Sequence, residues 1–341
     1  MFQTEPILFL QSFASDMLTF FMLAITQMGY APFLIGLTIF ITLGVSFRKG
    51  FLLLQLILWT RVVDQILNLK EVFGLPRPVD VDSRVLRLGS DGPNRSPFTG
   101  MGAKGFFEPL PREVVEYFRP RLETDEFGFP SGHVQFTTVA WGGISLLFKN
   151  RIIRWVTPLI VVLMALSRMY LGRHFLADVI GGAAMGGVIL LVANQLYVRC
   201  SLQDRFFERA ILAFSAKFPN ILFFSFMFLV PLLLTLTSAI DCDTAGYLLG
   251  VNTAFLLIMA KGLPDDTGTL RKRAARVLLG FLLCFVAQFV VNQGFDWVGL
   301  DEDGMEWIEF VKAAIPSFIG LWGAVTVSFK LGLYKRANAA A

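Results

Sequence analysis

Only two histidines occur in this chain of 341 residues, and each lies in a short motif rich in phosphate-binding residue types. His133 follows Ser131 and Gly132, and His174 is followed four residues later by Asp178. Histidine is the side chain that acts as a nucleophile, acid or base near neutral pH. The two motifs therefore predict chemistry on a phosphorylated group.

The motif around His133 predicts the start of a helix. Pro130 ends the preceding loop, Ser131 is a good N-cap residue, and Gly132 leaves room for close approach of the backbone. A helix that begins here directs its free N–H groups and the positive end of its dipole towards an anion, with His133 in the first turn. An ordinary helix cap would use the same residues, so the motif alone leaves both interpretations open.

The motif around His174 is the most specific of the three. The spacing of four residues predicts that His174 and Asp178 lie on one helical face, where the carboxylate accepts the imidazole N–H and leaves the other ring nitrogen available for attack. Arg168, near the end of the preceding helix, offers a planar fork for two phosphate oxygens. A structural His–Asp pair is the alternative, and two histidines with one close carboxylate are a poor metal-binding set.

A third cluster holds two cations, Lys70 and Arg77, at the end of an apolar segment. Gly74 and Pro76 break the helix before Arg77, so both cations lie at the membrane surface on a bent backbone. Lysine and arginine at such ends also extend towards water without binding a ligand, and that alternative stays open for this cluster alone.

The composition is that of an integral membrane protein, since hydrophobic residues make up 55% of the chain, charged residues 16%, and the mean hydropathy is +0.63. A helix needs roughly 20 apolar residues to cross a bilayer. In the sixth apolar segment, Gly181, Gly182, Gly186 and Gly187 predict close helix contacts. We predict an all-α fold with about ten transmembrane helices, near residues 13–29, 31–47, 51–68, 131–148, 155–172, 176–197, 219–239, 245–261, 277–294 and 309–329.

Basic residues in short connections orient such a bundle. They follow the even-numbered segments, as Arg48 and Lys49 and later Arg271 and Lys272 do, whereas the other short connections are neutral or acidic. The pattern predicts a multi-pass protein of the inner (plasma) membrane with both termini in the cytoplasm and all three motifs at the non-cytoplasmic face. The net charge of +4 is scattered over these connections, which argues against nucleic-acid binding.

The longest polar connection, residues 79–129, separates the first motif from the second. It is rich in glycine, proline and charge, and its amphipathic stretch Pro111–Phe118 predicts a short helix. Because loops of this length are uncommon unless they are functional or disordered, we expect a lid or substrate-selecting loop, with a solvated linker as the alternative. The three widely spaced cysteines indicate neither a zinc site nor a disulfide framework.

Together the three motifs resemble the signature of the type 2 phosphatidic acid phosphatase superfamily, which also includes glucose-6-phosphatases and vanadium haloperoxidases. The matching residues are Lys70, Arg77, Pro78, Pro130, Ser131, Gly132, His133, Ser167, Arg168, His174 and Asp178. The resemblance implies a six-helix phosphatase core at residues 13–197, including the outward loop 79–129. It says nothing of the role of an additional four-helix membrane region at residues 219–329.

The resemblance also implies a role for each site residue. His174 is expected to be the nucleophile that forms a phosphohistidine, Asp178 to orient it, and His133 to protonate the leaving oxygen and then assist water. Three cations and a helix N-terminus would stabilise the transferring group without a metal or another cofactor. The residues expected to bind the phosphoryl oxygens are Lys70, Arg77, Ser131, Gly132 and Arg168.

The implied activity is hydrolysis of a lipid phosphate or diphosphate in contact with membrane lipids. Phosphatidate, phosphatidylglycerol phosphate, undecaprenyl diphosphate and lipid A phosphate are the substrates that the resemblance implies; the oligomeric state stays open. Alternatives are a glucose-6-phosphatase-like enzyme acting on a soluble sugar phosphate, and a lipid phosphotransferase that passes the phosphoryl group to another lipid. A transporter or flippase that binds phosphate without turnover is a different class, and it would not require both histidines.

Overall fold

The computed structural model describes residues 1–89, 94, 96–199, 224–300 and 305–336. Within these residues the regular secondary structure is helical, apart from one isolated bridge between Pro264 and Arg336. The predicted all-α class is confirmed. Parts of the predicted four-helix region, at residues 219–223 and 301–304, lie outside the described residues.

The helices are numbered here in chain order. Turns of π-helix at Phe40–Val45, Gln195–Arg199, Ser225–Leu229 and Ile319–Gly323 adjoin them, and Thr124–Glu126 forms a short 3₁₀ turn. The α-helices are Glu5–Gln11 (α1), Asp16–Gln27 (α2), Ala31–Ile39 (α3), Phe47–Leu67 (α4), Leu69–Phe73 (α5), Pro78–Val81 (α6), Arg112–Phe118 (α7), Gly132–Phe148 (α8), Arg151–Tyr170 (α9), Leu176–Asn194 (α10), Val230–Leu236 (α11), Cys242–Lys261 (α12), Leu270–Val298 (α13), Glu306–Phe318 (α14) and Ala324–Lys330 (α15).

Among the described residues, six helices are long and apolar enough to cross a membrane, and the chain is a multi-pass membrane protein. A pair of helices bent by 60°, Asp16–Gln27 and Ala31–Val45, passes the same test as one further span. The fourth predicted segment forms the 17-residue helix α8, and the seventh forms the shorter apolar helix Ser225–Leu236. The count of about ten spans stays a prediction. The six candidate spans are Phe47–Val81, which takes in α4 to α6, Arg151–Tyr170, Leu176–Tyr197, Cys242–Lys261, Leu270–Val298 and Glu306–Lys330.

The chain forms two compact units. The first holds Met1–Leu34 and Leu67–Ala193, and the second holds Ile35–Ile66 and Asn194–Ala341. The predicted phosphatase core, residues 13–197, therefore includes a stretch that lies in the second unit. The division of function between a phosphatase core and an additional region stays a prediction.

A buried apolar core lies in the first unit. It joins Ile7 of α1, Val134 of α8, Met164 of α9 and Val179 of α10 to the connection 79–129. The predicted helix in this connection is confirmed as α7, because two of its apolar side chains are drawn into the core. Where it is described, the connection is thus a packed part of the unit and not a solvated linker. Its core residues are Val79, Val81, Val85, Leu110, Val114 and Phe118.

Helix α1 has no counterpart among the predicted segments. Pro6 stands in its first turn, where a missing N–H costs nothing, and this was the available local signal. The Gln11 side chain donates to the carbonyl oxygens of Leu86 and Tyr170, at 2.8 and 2.9 Å. Its own oxygen accepts from the Leu86 N–H at 2.8 Å. These bonds attach α1 to the long connection and to the end of α9.

Two of the four glycines in the sixth predicted segment bring α10 against the start of α8. A Cβ atom at Gly182 would lie 2.3 Å from the Ser131 carbonyl oxygen, and one at Gly186 would lie 2.9 Å from the Gln135 carbonyl oxygen. The predicted close contact is confirmed for these two positions. Gly181 instead faces the Phe129 ring, and Gly187 faces open space.

In the second unit, buried polar side chains join helix α4 to its neighbours. Gln55 donates to the Asn252 side-chain oxygen at 2.7 Å, and Asn252 donates in turn to the Met227 carbonyl at 2.7 Å. One turn away, Phe51 stacks on Phe255 with ring centroids 4.1 Å apart. Such hydrogen bonds stabilise helix association in a membrane, where no water competes for them.

Small residues also let α12 and α14 touch within the second unit. A Cβ atom at Gly246 would lie 2.4 Å from the Phe310 carbonyl oxygen, and one at Gly250 would lie 2.4 Å from that of Ala314. The absence of a side chain at both positions allows the two backbones to approach closely.

Candidate active site

The second motif lies at the N-terminus of α8. Ser131 occupies the N-cap position, as predicted, and His133 lies in the first turn. The Ser131 hydroxyl makes no capping hydrogen bond, however, and it is buried without a partner among the described residues. A Cβ atom at Gly132 would meet nothing within 4 Å. The hydroxyl and the open space beside Gly132 are therefore available to a ligand, which an ordinary helix cap would not leave.

The His174–Asp178 pair forms differently from the prediction. Helix α10 begins at Leu176, so His174 precedes it and the predicted shared helical face is wrong. Asp178 turns its carboxylate back to the start of the helix, where Oδ2 accepts a hydrogen bond from the Phe175 N–H at 2.8 Å. An acidic residue in the first turn caps a helix in this way. The cap still brings Asp178 Oδ2 within 3.4 Å of His174 Nδ1.

This contact is close without being a hydrogen bond. His174 Nδ1 and Asp178 Oδ2 lie within ion-pair distance, but Nδ1 has no hydrogen-bond partner among the described residues. The other carboxylate oxygen, Asp178 Oδ1, has none there either. Catalytic hydrogen bonds are often long without substrate and tighten when it binds. Burial, and then the positive charges of Arg168 and Arg77, lower the pKa of His174 well below its ordinary value. The neutral ring retains a lone pair for attack.

The cations Lys70 and Arg77 converge on one backbone oxygen. The predicted helix break is confirmed at Gly74, which ends α5 with a left-handed φ of 57°. Lys70 Nζ donates to the Asp125 carbonyl at 3.1 Å, and Arg77 Nη2 donates to the same oxygen at 2.6 Å. Two side chains that merely extended towards water would not be directed to one oxygen. Asp125 belongs to the long connection, which sequence reasoning did not link to these cations.

Backbone contacts join the three motifs. The Gly128 N–H donates to the carbonyl of Leu75, which lies between the two cations in sequence, at 2.7 Å. A Cβ atom at Gly128 would lie 3.0 Å from Asp178 Oδ2, and the Ser131 N–H donates to the Asp178 carbonyl at 2.9 Å. The predicted site residues therefore gather where α8 and α10 begin.

Arg168 contributes a buried guanidinium to this site, with only 5% of the residue exposed. Its Nη1 donates to Thr26 Oγ1 at 2.8 Å, but its Nε has no acceptor among the described residues. The same holds for Arg77 Nε and His133 Nε2. Burying a charged donor without an acceptor is costly, so these groups indicate a site for an anion.

Sequence reasoning missed the end of α2 and the turn between α2 and α3. Tyr30 stands edge-on to His133, with ring centroids 4.4 Å apart, and Thr26 holds Arg168. No motif marks these residues. The available signal was a threonine in an apolar segment, since hydroxyl side chains in membrane helices commonly bond across helices.

Comparison with known proteins shows which family this region resembles. Residues 49–201 match the family described as the PAP2 superfamily. This part of the chain is similar to the PAP2 superfamily. The predicted resemblance is confirmed, and the matched range contains all three motifs but neither Thr26 nor Tyr30.

Curated relatives of this PAP2 region are named as phosphatases. The chain is 30% identical over 86 residues to phosphatidylglycerophosphatase B of Bacillus subtilis (strain 168), which covers 23% of this chain and 42% of that protein. It is 35% identical over 72 residues to lipid A 4'-phosphatase of Porphyromonas gingivalis, covering 21% and 29%. For lipid phosphate phosphatase gamma of Arabidopsis thaliana the identity is 34% over 101 residues, covering 25% and 44%. The chain thus spans less than half the length of these relatives. No solved structure matches the chain significantly.

Proposed function

We propose that this protein is a metal-independent phosphatase that hydrolyses a lipid phosphate or diphosphate through a phosphohistidine intermediate. The observation that carries the proposal is the set of buried polar groups without partners around His174. Arg77 Nε, Arg168 Nε and the Ser131 hydroxyl come from three different motifs. Phosphoryl oxygens would accept hydrogen bonds from all three, and their charge would balance the guanidinium groups.

In the proposed first step, His174 attacks phosphorus. Its Nδ1 faces Asp178, so Nε2 is the attacking nitrogen. Burial and nearby cations lower the pKa of His133 to about 3, so this ring takes up a proton only when the anionic phosphoryl group offsets those cations. The N–P bond forms as the bond from phosphorus to the leaving oxygen breaks, and His133 gives that proton to the leaving oxygen. Arg77 and Arg168 stabilise the charge on the transferring oxygens.

In the second step, water hydrolyses the intermediate. Neutral His133 accepts a proton from water as the water oxygen attacks phosphorus, and the N–P electron pair returns to His174. Inorganic phosphate leaves, and both histidines regain their starting states. While the intermediate exists, the His174 ring is cationic, and the Asp178 carboxylate stabilises that charge.

A lipid substrate is supported by the relatives, whose names refer to phosphatidylglycerophosphate, lipid A and lipid phosphate. It is also supported by the position of Arg168 and His174. These residues stand at the end of α9 and just before α10, two helices long and apolar enough to cross a membrane. We expect a site at such helix ends to lie at the depth of lipid headgroups.

The test is a substrate panel on the protein purified in detergent. We expect phosphate release from phosphatidate, phosphatidylglycerol phosphate or a polyprenyl diphosphate, and little from glucose 6-phosphate. His174→Ala should remove nearly all turnover and the acid-labile label that radioactive substrate phosphate leaves on the protein. Substantial turnover in the folded variant would contradict the nucleophile, and a preference for the sugar phosphate would replace the lipid.

We further propose that the site faces the non-cytoplasmic side, as the distribution of basic residues predicts. In a variant without Cys200, Cys242 and Cys284, Glu116→Cys in the long connection should react with an impermeant thiol reagent on intact cells. Leu331→Cys, after the last helix, should react only once the membrane is opened. The reverse pattern would invert the proposed orientation.

A further inference from the structure

The end of α2 and the turn that follows it contact two site residues that belong to different motifs. Thr26, itself 2% exposed, accepts the 2.8 Å hydrogen bond from Arg168 Nη1. Four residues later, the Tyr30 ring meets the His133 ring at an interplanar angle of 89°. The turn precedes the range matched by the PAP2 superfamily, so no motif residue supplies either contact.

Gly29 allows the turn to approach His133. A Cβ atom at Gly29 would lie 2.9 Å from His133 Cδ2 and 3.1 Å from its Cβ. Hydrogen bonds of 3.1 Å, from the Gly29 N–H to the Thr26 carbonyl and from the Tyr30 N–H to the Gln27 carbonyl, hold the turn. The His133 ring is therefore in contact with both the backbone of the turn and the Tyr30 ring.

Tyr30 also links the two contacts. Its hydroxyl lies near the Arg168 guanidinium, while its ring packs on His133. A long arginine side chain adopts many rotamers unless other groups hold it, and catalysis is sensitive to displacements of about 1 Å. One short turn thus restrains two groups whose positions decide the reaction.

We propose that Thr26, Gly29 and Tyr30 are positioning residues for phosphoryl transfer. Thr26 and the Tyr30 hydroxyl hold Arg168 for the phosphoryl oxygens. Gly29 and the Tyr30 ring hold His133 at the leaving oxygen. The inference rests on the proposed function, because it acts through the two roles assigned there.

The two arms of the proposal have different kinetic signatures. An alkyl leaving group, as in a lipid phosphate, needs a proton from His133, whereas p-nitrophenolate leaves readily without one. Misplacing His133 should therefore lower kcat/KM, which reports the first step, selectively for the lipid; the later hydrolysis that His133 also assists is common to both substrates. Misplacing Arg168 should slow both reactions equally and should weaken binding of orthovanadate, which mimics the transferring group.

Gly29→Ala tests the His133 arm. We expect kcat/KM for a lipid phosphate to fall about 10-fold to 100-fold, and that for p-nitrophenyl phosphate to stay within about three-fold. Gly187→Ala, which adds the same methyl group in open space, is the control and should change neither. If Gly29→Ala does not fold, Tyr30→Leu is compared with Tyr30→Phe, because both lack the hydroxyl and only Tyr30→Phe keeps the ring. Relative to Tyr30→Phe, Tyr30→Leu should show the same selective loss of kcat/KM for the lipid phosphate. Equal losses on both substrates, or none, would overturn this arm.

Thr26→Val tests the Arg168 arm because it keeps the side-chain shape and removes the acceptor. Both substrates should lose about ten-fold in kcat/KM, and orthovanadate should bind about ten-fold more weakly, as expected for one hydrogen bond to a charged group. Thr19→Val is the matched control. Thr19 lies on the same helix α2 as Thr26, and the substitution removes a 2.8 Å hydrogen bond between its hydroxyl and that of Tyr170. If Thr26→Val stays within two-fold of Thr19→Val, this arm is overturned.

The unsubstituted protein separates this inference from the proposed function. A protein that binds orthovanadate yet releases no phosphate from any substrate overturns the proposed function, and the vanadate comparison then still decides the Arg168 arm. An active protein whose variants at positions 26, 29 and 30 keep its kinetics overturns the inference alone. A folded protein with neither turnover nor vanadate binding overturns both.

Discussion

Two arginines, one in each unit, are almost fully buried, and their surroundings are opposite. Arg276 in the second unit donates from Nε to the Lys272 carbonyl and from Nη2 to the Thr267 carbonyl, both at 3.3 Å. Its guanidinium also lies 4.1 Å from the centre of the Tyr334 ring. Arg168 in the first unit has one hydroxyl partner and an unused Nε. A buried cation that its own chain satisfies holds a fold, whereas one left unsatisfied is available to hold a ligand.

The acidic residues show the same contrast. Asp266 in the second unit uses both carboxylate oxygens, accepting from the Phe47 N–H at 2.8 Å and from the Ser46 hydroxyl at 2.9 Å. In the first unit, Asp178 Oδ1 is buried and unused. Asp266 thus uses its whole carboxylate to hold helix ends, whereas Asp178 uses one oxygen as a cap and leaves the other unpaired.

Substituting the two aspartates should give the largest difference. Asp178→Asn keeps the shape but removes the negative charge that stabilises the His174 ring, so we expect kcat to fall about 10²-fold to 10⁴-fold with little change in KM. Asp266→Asn retains an acceptor for the helix end and should leave kcat unchanged. Steady-state kinetics of both variants check this. If Asp178→Asn stayed within a few-fold of the parent, its carboxylate would only cap a helix.

Two glycines should separate activity from stability. Gly132→Ala places a methyl group in open space where the phosphoryl group is proposed to lie, so kcat/KM should fall on the order of 10²-fold while the melting temperature is kept. Gly250→Ala places one 2.3 Å from Ser317 Oγ and should lower stability by about 1–3 kcal/mol without reducing activity of the folded fraction. Full activity in Gly132→Ala would show that the space beside it is not used.

The two arginines should respond differently to lysine. Arg168→Lys weakens a fork that binds two oxygens, so kcat should fall, KM should rise, and their ratio should drop about 10-fold to 100-fold with stability nearly unchanged. Arg276→Lys removes the Nε hydrogen bond and the stacking on Tyr334, which should lower the melting temperature and leave kcat/KM in place. An equal loss of stability in both variants would show that Arg168, like Arg276, holds the fold, and it would contradict the proposed difference between the two arginines.

Removal of metal ions should have the smallest effect. In the described part of the chain, no group of three or more His, Cys, Asp or Glu side chains could hold a metal ion. With Lys70, Arg77 and Arg168 as the proposed source of positive charge, a chelator should change the rate of phosphate release by less than about two-fold. A requirement for added magnesium would contradict the metal-independent mechanism.

The sequence by itself determined the helical membrane class and the residues of the three motifs. Apolar runs near the length of a bilayer crossing leave the backbone no alternative to the helix, because lipid offers its N–H and C=O groups no partners. Helix breaks at Gly74 and the start of α8 at Ser131 were equally readable, because glycine, proline and capping residues act on their immediate neighbours.

Only the tertiary structure decided how the site is supported. The spacing of four residues allowed Asp178 to meet His174 on a shared helical face. In the folded chain, α10 begins at Leu176, between the two residues, and the Asp178 carboxylate caps that helix. Thr26 lies 142 positions from Arg168 along the chain, and no local pattern records that pairing. Contacts between distant segments depend on how helices pack, and packing is decided by many side chains at once rather than by any single motif.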